Sequence, residues 1–255
     1  VRELDEIKAA GVLRWGSDEA GGAPYEFRDP DNPSRRIGFE VEIAEELARR
    51  LGVRIEFVQT DWALLIPALQ RGEFDMAMAG IEIMPERREM VDFAGPYYIY
   101  LQQLVVHADD TKTTSLDDLV GRKVGTLTNT AAERIIRSVP GIHAVVYDDN
   151  VRPYEDLAER RIDGVLLDLP IALHYAKPDP RLRFAGKPFA EGQYGIAVNK
   201  QCPKLRAALQ KALEDMIRDG TLRRILEKWG LWNEAQTKLP GAGRALVPLR
   251  PRPMA

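Results

Sequence analysis

A chain of 255 residues, 45% hydrophobic and 29% charged, can bury one large core or two small ones, and this balance excludes a disordered or fibrous protein. The net charge of −3 lacks the Lys and Arg excess with which proteins neutralise phosphates, so no nucleic acid is expected as a partner. Cys202 is the single cysteine, which excludes an intramolecular disulfide framework and any multi-cysteine metal site.

The chain opens on Val1-Arg2-Glu3-Leu4-Asp5-Glu6, without the basic start, apolar run and small-residue cleavage site of a signal peptide, so an exported protein would be present here in trimmed form. Short apolar runs predict strands at Val12 to Trp15, Arg54 to Val58, Met76 to Ala79 and Leu104 to Val106. Between the first two, Ile43, Ala44, Leu47, Ala48 and Leu51 recur at helical spacing, with Glu42, Glu45, Glu46, Arg49 and Arg50 on the opposite face. This alternation is that of βαβ units with parallel strands. After the polar stretch Ala108 to Leu116 it restarts, with strands at Lys123 to Leu127, Ala144 to Tyr147 and Gly164 to Leu167, which predicts a second lobe. A strand at Tyr194 to Val198 follows, then a helix carrying Leu205, Ala208, Leu209, Ala212, Leu213 and Met216 as one apolar stripe. From Ala235 onward four prolines and four basic residues, without an acid or a helical period, predict a tail or linker. No apolar run approaches the ~20 residues that span a bilayer.

Three segments carry chemistry. In Gly80-Ile81-Glu82-Ile83-Met84-Pro85-Glu86-Arg87 a strand ends at a glycine, where a ligand can approach the backbone, and a helix begins near a proline suited to its first turn. Arg87 then stands beyond the carboxyl end of a strand, where its guanidinium can grip a carboxylate through two parallel hydrogen bonds or else pair with Glu86 or Glu89 on the surface. Thr130 and Glu133 fit a capping box, which places free amides at a helix start: an anion site, or plain capping. Asp168 closes the strand of Asp163-Gly164-Val165-Leu166-Leu167-Asp168-Leu169-Pro170, positioned to hold an ammonium group, to cap the helix that follows, or both. Tyr25 and Trp62, in loops after strands, offer aromatic faces to the apolar part of a small ligand or to simple packing.

In order along the chain, Ala23 to Phe27, Gly38 to Ile43, Trp62 to Leu69, Gly80 to Arg87, Val91 to Tyr97, Gly125 to Thr130, Asp163 to Pro170 and Gly220 to Gly230 resemble solute-binding protein family 3, the polar amino-acid-binding proteins of ABC importers. The resemblance spans roughly Leu4 to Trp232 and implies an α/β, two-lobed periplasmic-binding-protein fold of type II topology, its chain crossing twice between lobes near Ile99 and Gly192. Lobe 1 is expected to comprise residues 1–99 with 192–234, lobe 2 residues 100–191, and the tail residues 235–255. The resemblance further implies an extracytoplasmic location, a free L-amino acid as ligand and a membrane permease as partner. Arg87 would take the α-carboxylate with help from Thr130 and Ala131, Asp168 would take the α-ammonium, and Tyr25 and Trp62 would sandwich the side chain, with Asp18, Gly80, Ile81 and Glu82 completing the site.

Glu82 and Met84 depart from the family's small hydroxyl residues, Asn129 replaces a common glycine, and the loop from Asp18 to Ala23 is one residue longer than usual. A second carboxylate at position 82 strengthens ammonium capture, reaches a cationic side chain, or demands a compensating partner. The Gly80 to Ile83 segment is also similar to a subgroup fused to its own permease, to which the Pro/Arg-rich end would form a linker. The rival function is a cyclohexadienyl dehydratase on the same fold, with Glu82 and Asp168 as candidate acids, and a third is the sensing domain of a receptor. No Ser/His/Asp or Cys/His arrangement is evident, so no enzyme is expected. His107, His143 and His174 are scattered, so neither a metal nor a cofactor is expected.

Overall fold

The computed structural model describes residues 1–242. Helix α1 (Leu4–Ala10) precedes β1 (Val12–Ser17), a two-stranded ribbon of β2 (Phe27–Arg28) and β3 (Arg36–Ile37), α2 (Phe39–Leu51) and β4 (Arg54–Gln59). Next come α3 (Leu65–Arg71), β5 (Met76–Ala77), α4 (Pro85–Met90) and the long β6 (Asp92–His107). The second half brings β7 (Lys123–Leu127), α5 (Ala131–Ser138), β8 (His143–Tyr147), α6 (Arg152–Ala158), β9 (Gly164–Asp168) and the short α7 (Leu169–Ile171). It ends with β10 (Leu182–Phe184), β11 (Phe189–Val198), α8 (Pro203–Arg218) and α9 (Thr221–Lys228).

The strands run in the order β4-β1-β5-β11-β6-β9-β7-β8, with β10 on the edge of β6. β1 is parallel to β4 and β5, and β7 is parallel to β8 and β9, so each lobe has its own parallel unit. The antiparallel strands β6 and β11 join the two units. From Asp92 to Gln102 β6 pairs with β11, and from Gln102 to Val105 it pairs with β9, so one unbroken strand serves both lobes. Ile99 and Gly192, the expected crossing points, lie on these two strands opposite Gln193 and Tyr100.

Local sequence accounts for the flanking helices. α2 buries Phe39, Val41, Ile43, Ala44, Leu47 and Ala48 and stops at Gly52, whose left-handed φ of 74° closes the last turn with bonds to Ala48 and Arg49. Of the stripe read from sequence α8 buries Leu205, Leu209, Ala212, Leu213 and Met216, leaves Ala208 half-buried, and packs on β6 and α2. Trp15, fully buried at the centre of lobe 1, satisfies its indole N–H on the Met78 carbonyl at 2.8 Å.

The start of the expected tail is corrected. Glu234–Lys238 form a turn of 3₁₀ helix whose Gln236 is fully buried against β6: its Oε1 accepts from the Ile99 N–H at 2.9 Å and its Nε2 donates to the Ile99 carbonyl at 2.8 Å. Proline and charge counting missed this because one buried glutamine and scattered apolar contacts of Ala235, Leu239 and Ala242, rather than a periodic stripe, fasten the segment. The remainder of the predicted linker, residues 243–255, lies outside the described residues. Among the described residues no helix is long and apolar enough to cross a membrane.

Candidate functional site

The lobes face each other across a cleft of about 600 Å³ of empty space, its mouth included, at the carboxyl ends of β1, β5, β7 and β9. Ser17, Asp18, Tyr25, Trp62, Gly80 and Glu82 line one wall, and Leu127, Thr130, Asp148, Asn150 and Asp168 the other.

Asp168 is buried at the base of the cleft. Its Oδ1 accepts from Gln102 Nε2 at 2.7 Å and its Oδ2 from the Tyr194 hydroxyl, so residues of β6 and β11 hold it from below. It occupies the position before α7 but makes no capping bond with its side chain, which turns to the cleft floor instead. Burial, and next the Glu82 carboxylate, raise its pKa to about 7, against an ordinary aspartate near 3.9. The Tyr194 hydroxyl has one proton, given to Asp168, so the 2.6 Å contact between Tyr25 and Tyr194 is donated by Tyr25. The relay Tyr25 to Tyr194 to Asp168 runs along the buried floor. Tyr194 stacks on Tyr100 at 4.8 Å and on Tyr98 at 5.7 Å between ring centres, which fixes its orientation.

Arg87 reaches the site differently from the expectation. Its Nη1 lies 2.6 Å from Glu82 Oε2 and 2.9 Å from the Glu82 carbonyl, and its Nη2 donates to the Asn129 carbonyl at 3.0 Å. Glu82 Oε1 accepts the N–H of Ala131 at the start of α5, 3.1 Å away. The carboxylate resting on the guanidinium and on the helix amide is therefore the protein's own. Glu82 lines the cleft, whereas Arg87 lines an adjacent hollow with Ile81, Met84 and Asn129, and Trp62 borders both.

The other candidates divide. Trp62 spans the lobes, its indole N–H donating to the Thr128 carbonyl at 3.2 Å and its ring lying 5.4 Å from the Arg87 guanidinium. Thr130 caps α5 by accepting from Glu133 N and donates to the Leu127 carbonyl, while the Glu133 carboxylate takes the Asn129 N–H, one residue earlier than a capping box requires. Asp18 lines the cleft with its carboxylate committed to the amides of Ala20 and Trp62 and to Gln59 Nε2 at 2.7–3.0 Å, so it shapes the loop. Ile81 is not brought into the cleft; its side chain packs in the core beneath α3. Four residues not among the expected site residues complete the site: Gln102, Tyr194, Asn150, whose Nδ2 donates across the cleft to the Gly21 carbonyl at 2.9 Å, and Glu40. The pair Gln102-Gln103 inside the apolar run Tyr97 to Val106 was the available signal, since polar residues in a buried strand need a dedicated partner.

Gly80 sits where the chain bends under Tyr25. Its N–H donates to Glu40 Oε1 at 2.7 Å, and burial pushes the Glu40 carboxyl up to about 8. With φ at +60°, and with an added Cβ 2.9 Å from the Tyr25 ring, Gly80 has no room for a side chain. Gly80→Ala is expected to lower stability by about 1–3 kcal/mol, as left-handed strain adds to a clash with a ring whose hydroxyl is tied to Tyr194. Urea unfolding of the two proteins measures it.

The model of the bacterial extracellular solute-binding proteins, family 3, matches residues 13–231. The chain is 34% identical over 229 residues to the L-cystine-binding protein TcyJ of Escherichia coli (strain K12), covering 89% of this chain and 85% of that one. An ancestral arginine-binding protein bound to arginine superposes with a TM-score of 0.80 at 36% identity, over 86% of this chain and 98% of that chain. AncCDT-1, an ancestral amino acid-binding protein and precursor of cyclohexadienyl dehydratase, does so with a TM-score of 0.80 at 34% identity, over 89% and 98%. This chain belongs to the bacterial extracellular solute-binding proteins, family 3.

Proposed function

We propose that the protein works outside the cytoplasm as the capturing component of an ABC importer, and that its solute is a small amino compound, the class that includes free L-amino acids. The observation that carries this reading is Asp168, a carboxylate buried at the floor of a two-walled cleft with its own hydrogen bonds supplied and, among the described residues, no cation touching it. An ammonium or guanidinium group meets that need. Ser17 Oγ, buried in the same cleft without a protein partner among the described residues, is a further acceptor for such a group. Relatives named for L-cystine and arginine support an amino-acid solute. Lobe 1, as residues 1–99 with 192–234, and lobe 2, as 100–191, would close over it. Closure is supported by the direct bonds between the walls, Trp62 to Thr128, Ala131 to Glu82 and Asn150 to Gly21, which form only when the walls meet. Delivery to a permease, separate or fused, follows from this reading.

The dehydratase alternative asks for a proton donor over the substrate. Asp168, with its raised pKa, is the group of that character, but both its oxygens accept hydrogen bonds from the protein, an arrangement that favours the anion. A prephenate and arogenate turnover assay separates the readings.

The test is calorimetry against a panel of amino acids and amines between pH 5.5 and 8.5. Because Asp168 ionises near 7 and only its anion attracts a cation, affinity is expected to rise by up to about tenfold per pH unit below 7 and to level off above it. Flat affinity across this range, or no binding of any amino compound, overturns the assignment.

A further inference from the structure

We propose that the cleft prefers an amine, or an amino acid whose carboxylate is masked, over the corresponding free amino acid, because Glu82 already occupies the place of the ligand carboxylate. This rests on the reading of the cleft as a site for amino compounds, and it specifies which of them.

A carboxylate entering a closed cleft needs a cation and amide donors. Here both belong to Glu82: one oxygen is 2.6 Å from Arg87 Nη1, the other takes the Ala131 N–H at 3.1 Å. Both charged groups are buried, Glu82 at 2% and Arg87 at 8% exposure, so the pair is enclosed by protein rather than held loosely at a surface. Arg87 also spends two further N–H bonds on the carbonyls of Glu82 and Asn129. A ligand carboxylate would have to expel Glu82, leaving it buried without a partner, or lie against it as a like charge.

The rest of the lining gives a second, independent reason. Among the described residues it contains the acids Asp18, Glu82, Asp148 and Asp168 and no Lys, Arg or His. With Glu82 neutralised by Arg87, the carboxylates of Asp18, Asp148 and Asp168 remain in a lining without a cation; Asp18 is held by loop amides and Asp148 is exposed, which leaves Asp168 as the buried charge to be matched. A cation without a carboxylate supplies what this lining lacks, and a ligand that brings its own carboxylate adds a further anion to it. Trp62 and Tyr25 supply apolar faces for the body of such a molecule.

Calorimetry on the full chain with matched pairs tests this: agmatine against arginine, L-argininamide against arginine, cadaverine against lysine, and histamine against histidine. For the pair that binds best, the carboxylate-free member is expected to bind at least tenfold tighter. Glu82→Ser frees Arg87 and the Ala131 amide, so the preference is expected to reverse; Glu82→Gln, which keeps the shape and removes the charge, is expected to shrink it and decides the matter if the serine variant does not fold. A wild-type protein that binds the free amino acid more tightly in every pair, or a preference unchanged in both variants, overturns this inference and leaves the amino-compound reading standing. No binding by any member of any pair overturns both.

Discussion

Asp168→Asn is expected to weaken the best amine or amino-acid ligand by about 100-fold or more. Removing one partner of a buried charge pair costs ~2–5 kcal/mol, because the ligand cation is then desolvated without compensation. The substitution keeps the size of the side chain, and a hydrogen bond from Tyr194 or Gln102 can still be accepted, so folding should survive. Stability gives an internal control. The folded pKa of about 7 lies above that of an unfolded aspartate, so the native state holds more protons between about pH 4 and 7 and stability falls as pH rises through that window. Asparagine removes this contribution. The ligand-free variant should therefore lose less melting temperature than the wild type between pH 5 and 8, while its affinity collapses. Glu40, raised to about 8, adds a slope of the same sign to both proteins, so the difference between them isolates Asp168. Retained affinity in Asp168→Asn would show that the cation sits elsewhere.

Gln236→Ala is expected to lower stability by about 2–4 kcal/mol, roughly 5–10 °C in melting temperature for a chain of this size. The side chain is fully buried and bonds both the N–H and the carbonyl of Ile99, with a third bond from Nε2 to Asn233 Oδ1 at 2.9 Å. Truncation orphans two backbone groups on β6 at ~1–3 kcal/mol each and opens a void beside them. Thr237→Ala, one residue on, removes an exposed bond to the Glu234 carbonyl and should change stability by less than about 0.5 kcal/mol. Equal melting of the glutamine variant and the wild type would contradict the packing described for this segment.

Position 236 also shows where reading the sequence stops. The strands at Val12 to Trp15 and Lys123 to Leu127 were legible as short apolar runs, and the stripe of α8 because its periodicity matches the face it buries. β6 was legible only at Leu104 to Val106, since Gly95 and Pro96 interrupt it and both its faces are buried, which removes the alternation that marks a half-exposed strand. Residue type and place in the chain singled out Asp18, Tyr25, Trp62, Gly80, Glu82, Thr130 and Asp168, which line the cleft, but not the partners that hold them. Nothing in the spacing of Glu82 and Arg87 announces that they pair with each other, and nothing near Asp18 announces that loop amides saturate it. Pairing depends on rotamers and on contacts between segments far apart, such as the 66 residues separating Gln102 from Asp168.

The two strands shared by the lobes have a mechanical consequence. When two bodies rotate about a pair of connecting ribbons, an atom's displacement grows with its distance from that axis, and atoms on the ribbons hardly move. Asp168 is tethered to Gln102 and Tyr194, which lie on those ribbons, whereas the bonds of Trp62 to Thr128 and of Ala131 to Glu82 join segments away from them. Opening would therefore part the outer bonds first and leave the anchoring charge at the pivot nearly undisturbed. An arriving cation would meet a socket already set, and closing would only add the lid.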